Sequence, residues 1–256
     1  ASAGPGLRSG LGLAWRLQRG AVYGWTLGLL LTGLSYGSIG DSVEDLLGDG
    51  DLAEAMGAGI TDNLVDAFYS TAAVQLALIA CGFAISSTLR PRAEEDAGHL
   101  EALLAAGLSR SAWLAGHVLV TVGGTFVALM AGGLGMGVGF ALTTGEDAAV
   151  LRIGLPTVAY VAPVLVLSGL GRLIYGIRPR LVVLAWLPLA FAVVVLLFGE
   201  LMRFPAWVQD LSPFQHLALA PVEDFRWLPV LVVGLAAALL SAAGQAAFRR
   251  RDLQIG

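Results

Sequence analysis

Long apolar runs bounded by charges set the pattern of this chain. Six of them reach the roughly 20 residues that a helix needs to cross a bilayer: 21–39, 68–89, 111–142, 153–171, 181–199 and 227–248. The pattern predicts an all-α integral membrane protein, a single membrane domain over 1–256 with six transmembrane helices. Ahead of the first span, residues 7–19 mix leucine and tryptophan with Arg8, Arg16 and Arg19. That stretch is too polar to cross and predicts an interfacial helix with snorkelling arginines. Gly20, Gly24 and Gly28 recur every four residues, small-xxx-small steps that suit close helix packing. The third run would form about 48 Å of helix against a hydrocarbon core of about 30 Å, so it tilts, projects or breaks. Its glycines at 132, 133, 135, 137 and 139 mark a break or a very close helix contact, with Gly133 and Gly137 as packing positions. Pro156 and Pro163 predict a kinked fourth span, and Pro188 a kinked fifth.

Two polar connections fall on one side of these spans. Residues 41–66 carry Asp41, Glu44, Asp45, Asp49, Asp51, Glu54, Asp62 and Asp66 without an arginine, and Val43, Leu46 and Leu47 suit a short surface helix. Residues 201–226, with Phe204, Pro205, Trp207 and Phe214, predict a re-entrant or interfacial hairpin before the sixth span. Both are outer segments.

The connection between the second and third spans differs from these. Over 94–108, Leu100, Leu103, Leu104 and Leu108 fall at i, i+3, i+4 and i+8, with His99 and Glu101 beside the stripe. The spacing predicts a short amphipathic helix. Glu94, Glu95 and Asp96 at its start suit the positive end of the helix dipole, and Gly107 suits its stop. Ser109 then predicts the N-cap of the third span. About four turns cannot cross a bilayer, so this helix lies on the surface or docks into a partner.

Charge fixes the orientation. Arg8, Arg16, Arg19, Arg90, Arg92, Arg110, Arg172, Arg178, Arg180, Arg249, Arg250 and Arg251 fall on one side of the six spans, leaving Arg152, Arg203 and Arg226 on the other. By the positive-inside rule both termini and the 94–108 helix are cytoplasmic. Composition agrees with a membrane chain: 57% hydrophobic, 13% charged, mean hydropathy +0.78, against about 25% charged in soluble domains. All 15 basic residues are arginine. Without lysine there is no Walker A loop and no Schiff-base chemistry. Nothing here tracks a nucleic-acid backbone, and Cys81 stands alone, without disulfide or metal-ligand spacing. Ala1 in place of methionine fits initiator removal or a piece of a longer polypeptide, and no cleavable signal peptide is evident.

Enzyme and ion-carrier classes fare poorly. Glu200 and Arg172 sit at span ends, and His117, about two turns into the third span, reads as a packing residue more readily than as a relay. An intramembrane protease would place paired glutamates inside an apolar helix, whereas Glu94 and Glu95 stand in a charged connection, and Ser168 lacks a GxSG turn. No catalytic residue, metal site or cofactor of the chain's own is expected.

Several strings resemble a known family: LAWRLQRG at Leu13 to Gly20, YGSIGDSVEDLLGD at Tyr36 to Asp49, the passage Glu94 to His117, LSPFQHL at Leu211 to Leu217, and FRRRDL at Phe248 to Leu253. With six spans and an amphipathic cytoplasmic helix between spans two and three, the chain resembles permease subunits of type 2 fold ABC exporters. Closer still, it is similar to the C-terminal half of the actinobacterial polyketide-antibiotic, tetronasin-type, exporter permeases. The resemblance implies a multi-pass protein of the bacterial cell membrane that exports hydrophobic or amphiphilic compounds. It implies separate ABC ATPase subunits that hold ATP and Mg, and a second six-span half in the same polypeptide, a homologue or a second copy. On that view Glu95, His99, Leu100, Glu101, Leu103, Leu104 and Leu108 form the ATPase-coupling helix. Relatives often carry an arginine at the place of His99 and a proline near Gly107, which bears on the docking contacts. The alternative is a membrane scaffold or assembly protein without transport.

Overall fold

The computed structural model describes residues 9–39, 58–98, 103, 107–199 and 201–251, leaving aside the side chains of 58–64. Among these residues the protein is helical, with no strand. Five segments are long and apolar enough to cross a membrane: Val65–Asp96, Arg110–Thr144, Ala149–Ile177, Pro179–Phe198 and Trp227–Arg250.

The first helix, α1, runs unbroken over Gly10–Ser38, its start capped by the Ser9 hydroxyl, which accepts from the Gly12 amide at 3.1 Å. The pattern divides this stretch into an interfacial helix over 7–19 and a span from 21; the structure joins them. Gly20 sits mid-helix, and the residues before it sort by face, Ala14 and Gln18 buried, Arg16 and Arg19 exposed. A helix whose polar side chains can be sorted in this way has no reason to end.

Helix α2 spans Ala58–Asp96 and passes straight through Pro91. The apolar run ends at Leu89, but the helix gains ion pairs one turn apart beyond it: Arg90 with Glu94 at 3.4 Å and Arg92 with Asp96 at 2.6 Å. Glu94, Glu95 and Asp96 therefore finish α2 and do not start the next helix. Negative charge at a helix C-terminus opposes the dipole, and the arginines offset it. The helix expected around Val43, Leu46 and Leu47 lies outside the described residues.

Helix α3, Arg110–Thr144, starts at the expected Ser109 cap, whose hydroxyl accepts from the Ala112 amide at 3.2 Å, and ends on Gly145 at φ +77°. Its glycines do not break it. They let backbones meet: a Cβ on Gly33 of α1 would collide with the Gly132 carbonyl, and one on Gly37 with Met136 and Gly139. Glycine's low helix propensity is overridden by contacts that only glycine permits.

The fourth apolar segment is composite. Helix α4, Ala149–Gly154, passes through a 3₁₀ stretch at Leu155–Tyr160, where Pro156 falls, into α5, Val161–Ile177. The fifth begins as 3₁₀ turns at Pro179–Trp186, with α6 at Leu187–Phe198, so Pro188 stands in the first turn of a helix, where proline is tolerated, and not in its middle. Residues 201–226 hold one short helix, α7 at Ala206–Gln209, and a 3₁₀ turn at Pro213–His216, before α8 at Trp227–Arg250. This connection lies over the start of α2: the Ser70 hydroxyl donates to the Leu219 carbonyl at 3.0 Å and accepts from the Val222 amide at 3.2 Å. Nearby Arg152 pairs with Asp66 at 2.5 Å.

The core lies between α2 and the helices around it, with Tyr69, Leu76, Leu129, Met136, Val164 and Leu167 buried. Glycine contacts define three tight pairs: α1 with α3, α3 with α4 through Gly133 and Gly137, and α5 with α8 through Gly176 and Gly244.

Candidate functional site at the arginine-rich end

The ends of α2, α5 and α8 and the starts of α1 and α3 come together at one end of the bundle. A cluster of Trp113, Leu114, Tyr175 and Phe248, each buried, forms its apolar floor, and Leu13, Leu103, Leu108 and Val182 pack against it. Tyr175 and Phe248 stack at 5.6 Å, and Trp113 lies 6.0 Å from Phe248.

Polar groups close over this floor. Arg251 donates to both carboxylate oxygens of Glu95, at 2.6 and 2.8 Å, and to the Tyr175 carbonyl at 3.2 Å. The Tyr175 hydroxyl donates to Glu95 Oε2 at 2.8 Å. The Arg251 guanidinium carbon lies 5.2 Å from the Tyr175 ring centre and 5.3 Å from that of Phe248, a cation–π arrangement. Both charged side chains are only 15% exposed, so water competes weakly for them and the two-pronged pairing holds one geometry. Arg110, the first residue of α3, donates to the Arg251 carbonyl at 3.4 Å.

The connection from α2 to α3 is built on this cluster. Gly98 at φ +72° turns the chain out of α2, and its amide donates to the Glu95 carbonyl at 3.0 Å. Further on, Gly107 sits at φ +91° and the Leu108 amide donates to the Leu103 carbonyl at 3.2 Å. That bond closes over the left-handed Gly107. It places Leu103 and Leu108 where both touch the apolar floor.

The expected site residues thus separate. Glu95 faces inward and commits both oxygens within the chain. Leu103 and Leu108 rest on the protein's own cluster. His99, Leu100, Glu101 and Leu104 lie outside the described residues. A Cβ added at Gly20, Gly24 or Gly28 would meet nothing within 4 Å, whereas Gly133 faces Gly154 and Thr157, and Gly137 faces Val150. Arg251 and Tyr175 do not stand out in the sequence as site residues. The available signals are slight: Tyr175 is the one aromatic residue in α5, and Phe248 and Arg251 are three apart, the spacing of one helix face.

Deeper in the same end lies a second polar group. The Gln18 amide lies between His117 Nδ1 at 2.9 Å and the Ser87 hydroxyl at 2.6 Å. Ser87 is 2.6 Å from the Thr121 hydroxyl, which donates to the His117 carbonyl at 3.0 Å. All four side chains are buried, and they join α1, α2 and α3. Thr88 bonds Ser168 at 2.8 Å, and Arg172, expected at the end of a span, instead lies within α5, 4% exposed, and donates to the Ser241 hydroxyl of α8. Among the described residues no group of three or more His, Cys, Asp or Glu side chains could hold a metal ion.

Residues 7–249 match a family described as the C-terminal domain of the multidrug efflux system permease Rv1217c. The chain belongs to this family of multidrug efflux permease domains. It is 36% identical over 258 aligned positions to the multidrug efflux system permease protein Rv1217c of Mycobacterium tuberculosis. The alignment covers 99% of the chain and 47% of that relative, so the chain spans about half the relative's length. With five membrane-length apolar helices, this member of the Rv1217c C-terminal family is a multi-pass membrane protein.

Proposed function

We propose that the chain is the C-terminal membrane half of an ATP-driven ABC-type efflux permease, the type 2 fold class that its strings resemble. The observation that carries the reading is the family match over 7–249. α1 supplies a sixth span, and the arginine-rich end faces the cytoplasm. A lysine-free chain has no Walker A loop, so the work of export enters through contact with separate ATPase subunits that hold ATP and Mg. The connection from Gly98 to Ser109, carrying His99, Leu100, Glu101 and Leu104, is the contact. A second six-span half completes the path, and the cargo is a hydrophobic or amphiphilic compound, of the antibiotic kind for the tetronasin-type exporters. A groove of about 600 Å³ between α5, α6 and α8, lined by Leu167, Leu170, Phe191, His216 and Val232, is apolar enough to suit such molecules.

Purification of the full permease from its native membrane tests this reading. We expect an ATPase with Walker A, signature and Walker B sequences to remain bound in stoichiometric amount. Recovery of the permease without any ATPase, under conditions that keep its two halves together, would favour the scaffold reading.

A further inference from the structure

The connection between α2 and α3 is covalently continuous with those two helices alone. α5 and α8 are remote from it in sequence, Tyr175 lying 80 residues and Arg251 156 residues from Glu95. We propose that Glu95 and Arg251, held on Tyr175, form the strut through which displacement of this connection reaches α5 and α8. The proposal rests on the ATP-driven reading above.

Three features suit Glu95 to this role. It occupies the last turn of α2, next to the final residue before the chain turns out of the helix at Gly98, so any movement of the connection is felt there first. Its carboxylate is committed to the partners that would be moved: a bidentate pair with Arg251, just past the end of α8, and a hydrogen bond from Tyr175 near the end of α5. A planar guanidinium joined at two points to a carboxylate resists rotation as well as separation, unlike a single hydrogen bond. Arg251 is in turn seated against Tyr175 and Phe248 and tied to Arg110 of α3 through its carbonyl. The pair therefore links the end of α2 and the start of α3 to the ends of α5 and α8, at the end where force would arrive. Glu95 is a positioning residue here, and the ATPase-docking contacts fall to the connection beyond it.

The test uses the full permease with its co-purified ATPase in lipid vesicles, measuring ATP hydrolysis and ethidium movement on the same preparation. Glu95→Gln and Arg251→Glu are each expected to retain the bound ATPase and its hydrolysis while lowering ethidium moved per ATP by about tenfold, within the usual range of a coupling loss. The exchanged pair, E95R with R251E, is expected to recover most of that ratio. A ratio unchanged in both single variants would overturn the proposal. So would a parallel loss of hydrolysis, transport and thermal stability that the exchanged pair does not repair, since that is what a purely structural contact produces. A wild-type complex that binds no ATPase, or that neither hydrolyses ATP nor moves ethidium, would overturn the ATP-driven reading along with the strut; a fault in the strut alone leaves wild type active.

Discussion

Glu95 shows how much a single side chain's meaning depends on what the fold brings to it. In sequence it is one of three acids opening an amphipathic stretch. In the structure it ends a helix and meets an arginine from the far end of the chain. No periodicity within 94–108 points to Arg251, because the pairing depends on α5 bringing the ends of α2 and α8 together. Buried polar groups deeper in the bundle are equally hidden: Gln18 looks like a surface residue among arginines, yet it bonds both His117 and Ser87. Replacing Gln18 with leucine should leave the buried His117 Nδ1 without its partner, while Ser87 keeps Thr121, and lower stability by about 1–3 kcal/mol, read as a drop in the unfolding temperature of the detergent-purified protein. Ser241→Ala removes the partner of the buried Arg172 and should cost a similar amount, about 1–3 kcal/mol or more because a charge is involved. An unchanged unfolding temperature in either variant would show that the hydrogen bond contributes nothing.

At the scale of elements, hydropathy locates the apolar helices well and their ends poorly. α2 outruns its apolar stretch by about two turns because ion pairs continue it past Pro91. α1 absorbs a segment that reads as interfacial because Arg16 and Arg19 can both face outward. The glycines divide sharply by surroundings. Gly33 meets the Gly132 backbone, so Gly33→Val should force α1 and α3 apart and cost about 1–3 kcal/mol, the usual penalty of overpacking. Gly24, on the open face of the same helix beside Trp25 and Ile79, has space for a side chain. Gly24→Ala should leave the isolated chain no less stable and raise its stability by up to about 1 kcal/mol, since alanine is the better helix former where space is open. Thermal unfolding of the two variants side by side checks the contrast, and equal losses would contradict the assigned packing.

For the molecule as a whole, burial is uneven. The apolar window of α2 is 67% buried, against 22% for the Pro179–Phe198 segment and 17% for α8. Long apolar helices so little covered by their own chain suit lipid on one side and, on the proposed reading, a second half on another. The proposed orientation makes a direct prediction. With Cys81, which is buried, replaced by alanine, a cysteine at Trp207 should react with a membrane-impermeant maleimide on intact cells, and one at Arg250 only after permeabilisation. The reverse labelling would invert the topology. The all-helical membrane class is readable in the sequence because apolar length acts along the chain; the clustering at the arginine-rich end is not, because it arises between segments far apart in sequence.

The central claim is that energy enters from a separate ATPase through the connection between α2 and α3. The most direct measurement replaces Leu104 with aspartate in the full permease and follows membrane insertion, ATPase retention and ATP-dependent export together. The account predicts normal insertion with export abolished. Export at the wild-type rate in that variant would contradict it.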